Sequence, residues 1–354
     1  MTSSLDLPGA LGRFTALNRS RAAGAGLDLF AYDRVTAALG SLYDWPEAFR
    51  AEGRARLAAA DAYAADGNRV SAGDACRHAA RWFHCATLLP HPDGDLLARA
   101  AAEADGAMRR ALALLEPDAV RVEGAGFAGW LRRPEQTARG ARRPGVVVVV
   151  PGLDSGKEEF HGVAEELLRR GVAVLAMDGP GQGVLAGAEP PTPDYPRVLG
   201  EAIDALEGDA GTGLDTTRLA LIGMSLGGYY AAMGAAYDSR VRAAATVSGP
   251  YRLIWEELPQ FVVETLTERA GSVAEAEKFV RRIDLRGVAE RIACPLRVVD
   301  GGQDVIPGVV GGAALARAVP HGTRQLVPHG DHLLGNARAD WLPATADWLA
   351  ARVA

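Results

Sequence analysis

No other pattern in this sequence limits the possible folds as strongly as the alternation that begins at Val146. From there on, short apolar stretches alternate with stretches in which apolar residues return at helical spacing. The strand candidates are apolar along their whole length, as in buried strands of parallel sheets. They lie at 146–150, 172–177, 219–223, 243–248, 296–300 and 324–327. This order predicts an α/β fold with a mainly parallel, doubly wound sheet.

The first third of the chain has a different pattern. Between Leu27 and Leu115 the sequence is rich in Ala, Leu and Arg, and its apolar periodicity predicts about four amphipathic helices. Residues 120–123 and 127–132 are predicted to form a hairpin ahead of the main sheet. We therefore divide the 354 residues into an all-helical N-terminal cap domain, 1–117, and a second domain, 118–354.

The interval between the strands at 243–248 and 296–300 is too long for a simple crossover. Helical patterns near 254–269 and 273–283 predict a lid-like insertion over about 250–291. Open α/β sheets place their active sites beyond the carboxyl ends of the strands, and we expect the insertion to lie there.

A glycine-flanked serine follows the predicted strand at 219–223. Gly223-Met-Ser225-Leu-Gly227 has the G-x-S-x-G pattern, and a helical pattern over 229–237 comes next. In this strand, turn and helix context the pattern indicates an α/β-hydrolase fold, because the glycines permit the tight turn that exposes the serine hydroxyl. We predict Ser225 as a nucleophile. The alternative is a glycine-rich helix start that only packs closely.

A serine hydroxyl needs a base to take its proton, and the base should follow Ser225 in the chain. Only His321, His329 and His332 do so. His332 lies just past the last predicted strand, where a loop can bring its imidazole over the serine. His329, three residues earlier, is the alternative, whereas His321 precedes that strand and would lie at the opposite end of the sheet. We expect His332 to be the base.

The third member of such a set is a carboxylate that orients the imidazole and stabilises its charged form. The strand at 296–300 leads into Gly301-Gly-Gln-Asp304, so Asp304, beyond the strand end, is the predicted partner. Asp300 would still lie in the strand, where a structural role is the alternative. Asp331 is adjacent to His332, so its side chain should diverge from the ring.

Acyl chemistry also needs hydrogen-bond donors directed at the oxyanion. We predict the backbone N–H of Leu226, directly after the nucleophile, as one donor. The turn after the strand at 146–150 should supply the other, with Leu153 as the favoured donor. Gly152 would let the backbone approach closely.

Several other classes of function are disfavoured. The chain has 38 basic and 44 acidic residues, a net charge of −6, and no concentration of positive charge that would bind nucleic acid or a membrane. The stretch 152–157 is one residue short of a P-loop and lacks its Ser or Thr. Cys76, His78, His84 and Cys85 lack zinc-finger spacing, and we interpret them as buried helix residues. We therefore expect no cofactor and no metal.

The cysteine content bears on the compartment. Three cysteines are too few for a disulfide framework, and the N-terminal residues lack a signal-peptide pattern. The apolar runs are also too short to span a membrane. A cytoplasmic protein is the expectation.

With these residues in place, the chain resembles the α/β-hydrolase group that includes 2,6-dihydroxypseudooxynicotine hydrolase and the fungal polyketide-shortening hydrolases of yellowish-green pigment synthesis. The segments that carry the resemblance are PGLDSGKEE at 151–159, DGPGQG at 178–183, the serine turn, SGPY at 248–251 and GDH at 330–332. The segment GLDSGKEE is the most discriminating of these. The resemblance implies a helical cap and cleavage of a carbon–carbon bond beside a ketone.

The resemblance also implies a role for Glu256 in substrate binding or proton transfer. The alternative is a solvent-facing glutamate beside Glu257 on a cap helix. The expected partner is a small-molecule ketone or ester, and cap domains of this kind often support homodimers. The same fold also serves esterases, lactonases, thioesterases, non-hydrolytic cyclases and binding or regulatory proteins, which are the alternatives.

Overall fold

The structure is a computed structural model that describes residues 3–135 and 142–353. The helices are α1 Ala10–Ala25, α2 Leu29–Ala37, α3 Trp45–Ala65, α4 Arg69–Cys85, α5 Gly94–Leu115, α6 His161–Leu168, α7 Tyr195–Glu207, α8 Leu226–Tyr237, α9 Gln260–Ala270, α10 Val273–Val280, α11 Gly312–Ala318 and α12 Arg338–Val353. The strands are β1 Val120–Glu123, β2 Ala128–Arg132, β3 Val146–Val150, β4 Ala173–Asp178, β5 Leu219–Met224, β6 Val241–Val247, β7 Arg252–Leu253, β8 Leu296–Gly301, β9 Val309–Val310 and β10 Gly322–Val327. Of the helices within the described ranges, none combines the length and the hydropathy that a bilayer-spanning helix requires.

Eight strands form one sheet in the order β1-β2-β4-β3-β5-β6-β8-β10. The hairpin β1–β2 is antiparallel and joins β4 in antiparallel register. Every pair from β4 to β10 is parallel. The predicted mainly parallel sheet is therefore confirmed.

The valines of β3 show that both faces of the sheet are covered. Val146, Val148 and Val150 pack in a hydrophobic cluster that also contains residues of α7 and α8. Val147 and Val149 point the other way, into a cluster with residues of α6 and α12. Successive residues of a strand face opposite sides, so a strand buried on both faces is apolar at every position.

Strand ends and one small sheet differ from the sequence-based expectation. β6 and β10 each begin two residues earlier than predicted, at Val241 and Gly322. The two-stranded sheet of β7 and β9 was not predicted, because strands of two residues have no detectable periodicity. Within the interval expected to form a lid-like insertion lie β7, α9 and α10.

The helical region, defined as residues 10–115, contains one helix more than was predicted. α2 to α5 lie in the stretch where about four helices were expected. α1 was missed because its apolar residues are mostly alanines interrupted by polar side chains, which gives no continuous apolar face. The aromatic core of the region includes Trp45 stacked on Phe49, with ring centroids 4.2 Å apart. The division of the chain at residue 117 stays a prediction.

Candidate active site

Ser225 lies in the tight turn between β5 and α8. Its φ of 53° is a conformation that residues with side chains rarely adopt. Flanking glycines make the turn possible: a Cβ on Gly223 would overlap the carbonyl oxygen of Gly227, and one on Gly227 would overlap that of Val150. The serine is therefore held at the carboxyl end of the central strand by close backbone contacts.

Ser225, His332 and Asp304 form a continuous hydrogen-bonded chain. His332 Nε2 lies 3.0 Å from Ser225 Oγ, and His332 Nδ1 lies 3.0 Å from each carboxylate oxygen of Asp304. Burial by itself would raise the pKa of the Asp304 carboxyl, but hydrogen bonds with His332 and Ser248 outweigh it and lower that pKa. An ionised carboxylate on one side of the ring orients the other nitrogen to accept a proton from the serine.

The alternative residues lie elsewhere. His329 is 64% exposed and its Nε2 lies 3.0 Å from the Asp340 carboxylate. Asp300 accepts a hydrogen bond of 2.6 Å from Arg324. His321 directly precedes β10, at the opposite end of that strand from His332. The structure thus brings together the three residues favoured by the sequence and places these competitors in other contacts.

Ser248 supports two members of this chain and was not identified from the sequence. It follows β6 with a φ of 53° and is 7% exposed. Its Oγ accepts a hydrogen bond of 3.1 Å from the N–H of Leu333, beside His332, and its side chain also hydrogen-bonds Asp304. The SGPY segment carried part of the resemblance, but a positive φ cannot be inferred for a serine from sequence alone.

The two predicted oxyanion donors belong to segments that meet near Ser225. Leu226 is the first residue of α8, so its N–H has no acceptor within the helix. The loop after β3 passes close by, since a Cβ on Gly152 would lie 3.0 Å from the Ser225 Cβ. Leu153 follows Gly152 in that loop. The assignment of the Leu226 and Leu153 N–H groups as oxyanion donors stays a prediction, and the closeness of Gly152 to Ser225 is consistent with it.

Gln182, which follows β4, fixes the start of the loop after β3 by hydrogen bonds. Its Nε2 donates to the carbonyl oxygens of Pro151 and Gly152, at 2.6 and 3.0 Å. Its Oε1 accepts from the Gly179 N–H at 2.9 Å and from the Tyr195 hydroxyl at 2.7 Å. The sequence identifies this segment only as one that carries the resemblance. The structure shows that the DGPGQG segment also fixes the peptide groups beside Ser225.

The same loop continues into a buried charge cluster centred on Lys157. Its Nζ lies 2.7 Å from Asp178, 2.9 Å from Glu158 and 2.9 Å from Asp105. Burial alone would lower the pKa of this lysine, but the three carboxylates raise it well above its usual value, so the ammonium stays charged. Asp105 belongs to α5, so the cluster joins the helical region to the sheet.

Glu256 lies in a surface ion pair. Its carboxylate accepts a hydrogen bond of 2.6 Å from Arg281, and the two side chains are 60% and 54% exposed. This placement agrees with the solvent-facing interpretation. The expectation that Glu256 holds substrate or transfers a proton has no support in this geometry.

The cysteines and histidines of α4 differ in burial. Cys76, His84 and Cys85 are buried as expected, but His78 is exposed, which corrects that part of the interpretation. Cys85 and His84 lie near the end of α4, and His84 Nε2 is 2.9 Å from Glu159. Across residues 3–135 and 142–353, no three His, Cys, Asp or Glu side chains are grouped closely enough to bind a metal ion.

The chain is similar to known hydrolases in sequence. Residues 141–284 match the family model Hydrolase_4, described as serine aminopeptidase, S33. The 2,6-dihydropseudooxynicotine hydrolase of Paenarthrobacter nicotinovorans is 30% identical over 259 residues, 68% of this chain and 66% of that protein. Hydrolase LUC6 of a Fusarium species is 33% identical over 223 residues, 59% of this chain and 52% of that protein. Alpha/beta hydrolase xenA of Xenoacremonium sinensis is 29% identical over 227 residues, 60% and 52% of the two chains.

The chain thus spans about half the length of these fungal relatives. A wider match is structural: the crystal structure of 2,6-dihydroxy-pseudo-oxynicotine hydrolase aligns with a TM-score of 0.82 at 25% identity. It covers 94% of this chain and 95% of that one, so the alignment includes the helical region. The chain therefore belongs to the α/β-hydrolase superfamily.

Proposed function

We propose that this chain is a serine hydrolase in which Ser225 attacks a carbonyl carbon. The observation that carries the proposal is the unbroken hydrogen-bonded chain from Asp304 through His332 to Ser225, with separations of 3.0 Å. His332 takes the serine proton as the Oγ–carbon bond forms, and Asp304 stabilises the resulting imidazolium. The N–H groups of Leu226 and Leu153 bind the oxyanion. Every step uses groups of this chain.

We further propose that the bond cleaved is a carbon–carbon bond beside a ketone. This is the reaction that the resemblance implies, and the match to a relative named 2,6-dihydropseudooxynicotine hydrolase supports the resemblance. When the tetrahedral adduct on Ser225 collapses, the electron pair of the broken bond leaves with carbon, and the His332 imidazolium protonates that carbon. His332 then activates water, which releases the acyl group from Ser225 as a carboxylic acid.

The leaving group limits the substrate class. A simple carbanion leaves poorly, so the substrate must delocalise the charge, as a β-diketone or an acylated electron-rich aromatic does. In this proposal the helical region acts as a cap that covers the site and excludes water from it. The proposed substrate is therefore a ketone whose departing carbon can delocalise negative charge.

A matched panel of 1,3-diketones and the esters of the same acyl groups tests the proposal, with products identified by mass spectrometry. We expect diketones to yield a carboxylic acid and a shorter ketone, and Ser225→Ala to abolish the reaction. Ser71→Ala, at an exposed position of α4, is the matched control and should react normally.

The other outcomes overturn parts of the proposal. Turnover of esters alone would favour an esterase, lactonase or thioesterase. Products that retain every carbon of the substrate would favour a cyclase. Unchanged activity in Ser225→Ala would contradict the serine mechanism itself.

A further inference from the structure

We infer that Arg21, on α1 of the helical region, is a positioning residue for the oxyanion loop, defined as residues 151–159. The inference rests on the proposed function, because it assumes that this loop supplies the Leu153 N–H to the oxyanion. It assigns to the helical region a direct part in arranging the reacting groups, beyond covering them.

Arg21 binds the oxyanion loop with its whole guanidinium. Nη1 and Nη2 donate to the two carboxylate oxygens of Asp154, at 2.8 and 3.1 Å. Nη2 also donates to Ser155 Oγ at 3.0 Å, and Nε and Nη2 donate to Glu159 at 2.6 and 2.9 Å. A rigid fork of donors bonded at three points of one loop holds that loop in a single arrangement.

Arg21 contacts Asp154, the residue next to the predicted oxyanion donor Leu153. Asp154 directly follows Leu153, and Gly152 on the other side packs against Ser225. Gln182 fixes the carbonyl groups at the start of the loop, whereas Arg21 fixes the side chains that follow Leu153. The peptide N–H of Leu153 is therefore held from both directions, and Arg21 supplies one of the two.

The electrostatics make this contact hard to replace. Burial by itself would raise the pKa of Glu159, but the charge of Arg21 and hydrogen bonds from Arg21 and His84 lower it well below its usual range. Glu159 is 3% exposed and Arg21 13%. Removing the guanidinium would leave the buried Glu159 carboxylate short of a partner and would release Asp154, so the loop must rearrange.

α1 is in turn fixed against the segment that carries His332. A Cβ on Gly335 would overlap the carbonyl oxygen of Ser20, so the backbones of α1 and residues 332–337 are in close contact. Arg338 Nη1 donates to the Gly24 carbonyl oxygen at 3.0 Å, at the C-terminus of α1. One helix thus contacts both the histidine segment and the oxyanion loop, and a shift of α1 would move both.

The test compares Arg21→Gln with Arg19→Gln, a control on the same helix whose ion pair with Asp33 is about half exposed (48% and 47%). The measurements are kcat and KM on a substrate of the unmodified chain, and the inhibition constant of an alkylboronic acid, whose serine adduct places an oxygen in the oxyanion site. For Arg21→Gln we expect kcat to fall by about 10²-fold, KM to change little and the inhibition constant to rise by a similar factor. Arg19→Gln should match the unmodified chain.

A purely structural role gives a different result. In that case Arg21→Gln would lower the melting temperature, yet its folded fraction would keep the original kcat and boronate affinity, and the inference would be wrong. Asp154→Asn decides the matter where Arg21→Gln does not fold, because Asp154 is 28% exposed and asparagine keeps its shape while weakening the same contact. Normal boronate affinity in Asp154→Asn would then overturn the inference. An unreactive parent chain would instead contradict the proposed function.

Discussion

Two loops meet at Ser225, and they are held in place by different kinds of interaction. The serine turn after β5 is fixed by glycine contacts with the neighbouring backbone at Gly223 and Gly227. The oxyanion loop after β3 is fixed at its start by hydrogen bonds from Gln182, and beyond Leu153 by ion pairs, through Arg21 to α1 and through Lys157 to α5. β3 and β5 are adjacent parallel strands, so both loops start from the same edge of the same sheet.

The difference separates what the sheet provides from what the helical region provides. The serine turn needs only the residues next to it and the strands beneath it. The oxyanion loop needs partners more than 50 residues away in the sequence, because Arg21 precedes Glu159 by 138 residues and Asp105 precedes Lys157 by 52. Changes in the helical region should therefore affect the reaction mainly through the oxyanion loop and the histidine segment that α1 contacts.

The largest effect is expected for His332→Ala. Without the imidazole no base faces the Ser225 hydroxyl, so kcat should fall by about 10⁴- to 10⁶-fold. The melting temperature should change little, because the side chain is 31% exposed. His329→Ala, at a more exposed position, is the control and should keep its activity. The reverse pattern, loss in His329→Ala alone, would show that the base is misassigned.

An intermediate effect, on stability, is expected for Lys157→Met. The substitution removes the cation from three carboxylates at a buried site, and such a loss costs about 3–5 kcal/mol of unfolding free energy. Urea denaturation measures it. Lys278→Met is the matched control, since Lys278 is 71% exposed with one partner, Glu275, and should change stability by less than about 0.5 kcal/mol. Equal stability of the two variants would mean that the buried cluster does not stabilise the fold.

The smallest effect is expected for Glu256→Gln. Glu256 lies outside both loops in an exposed ion pair, so steady-state kinetics should give kcat and KM within about twofold of the unmodified chain. A tenfold or larger fall in kcat, with folding intact, would restore the role in proton transfer or substrate binding that the resemblance implies.

The sequence predicted the parts of this molecule that depend on neighbouring residues. The valines of β3 predict a strand buried on both faces, and the G-x-S-x-G turn after β5 predicts an exposed serine. The order of the chain after Ser225 then reduced the candidate bases to His332 and His329. Each inference used local spacing or a fixed topological rule, and the structure brings the favoured residues together.

The remaining parts depend on contacts between distant segments. Arg21 cannot be singled out from the sequence, because its partners Asp154 and Glu159 lie 133 and 138 residues away and only the fold brings them together. The sequence does not predict α1, because its buried face consists mainly of alanine and its apolar periodicity is therefore weak. Ser248 adopts a left-handed backbone conformation that its residue type does not favour. The GLDSGKEE segment is distinctive in the sequence, but its contacts with the helical region, made by Glu159 and Lys157, depend on the fold.

Treatment with a fluorophosphonate, followed by peptide mass spectrometry to locate the adduct, tests whether Ser225 is a nucleophile activated by His332. We expect one adduct, on Ser225, that is absent from Ser225→Ala and forms far more slowly in His332→Ala. An adduct that persists in Ser225→Ala, or none on the folded parent chain, would contradict this expectation.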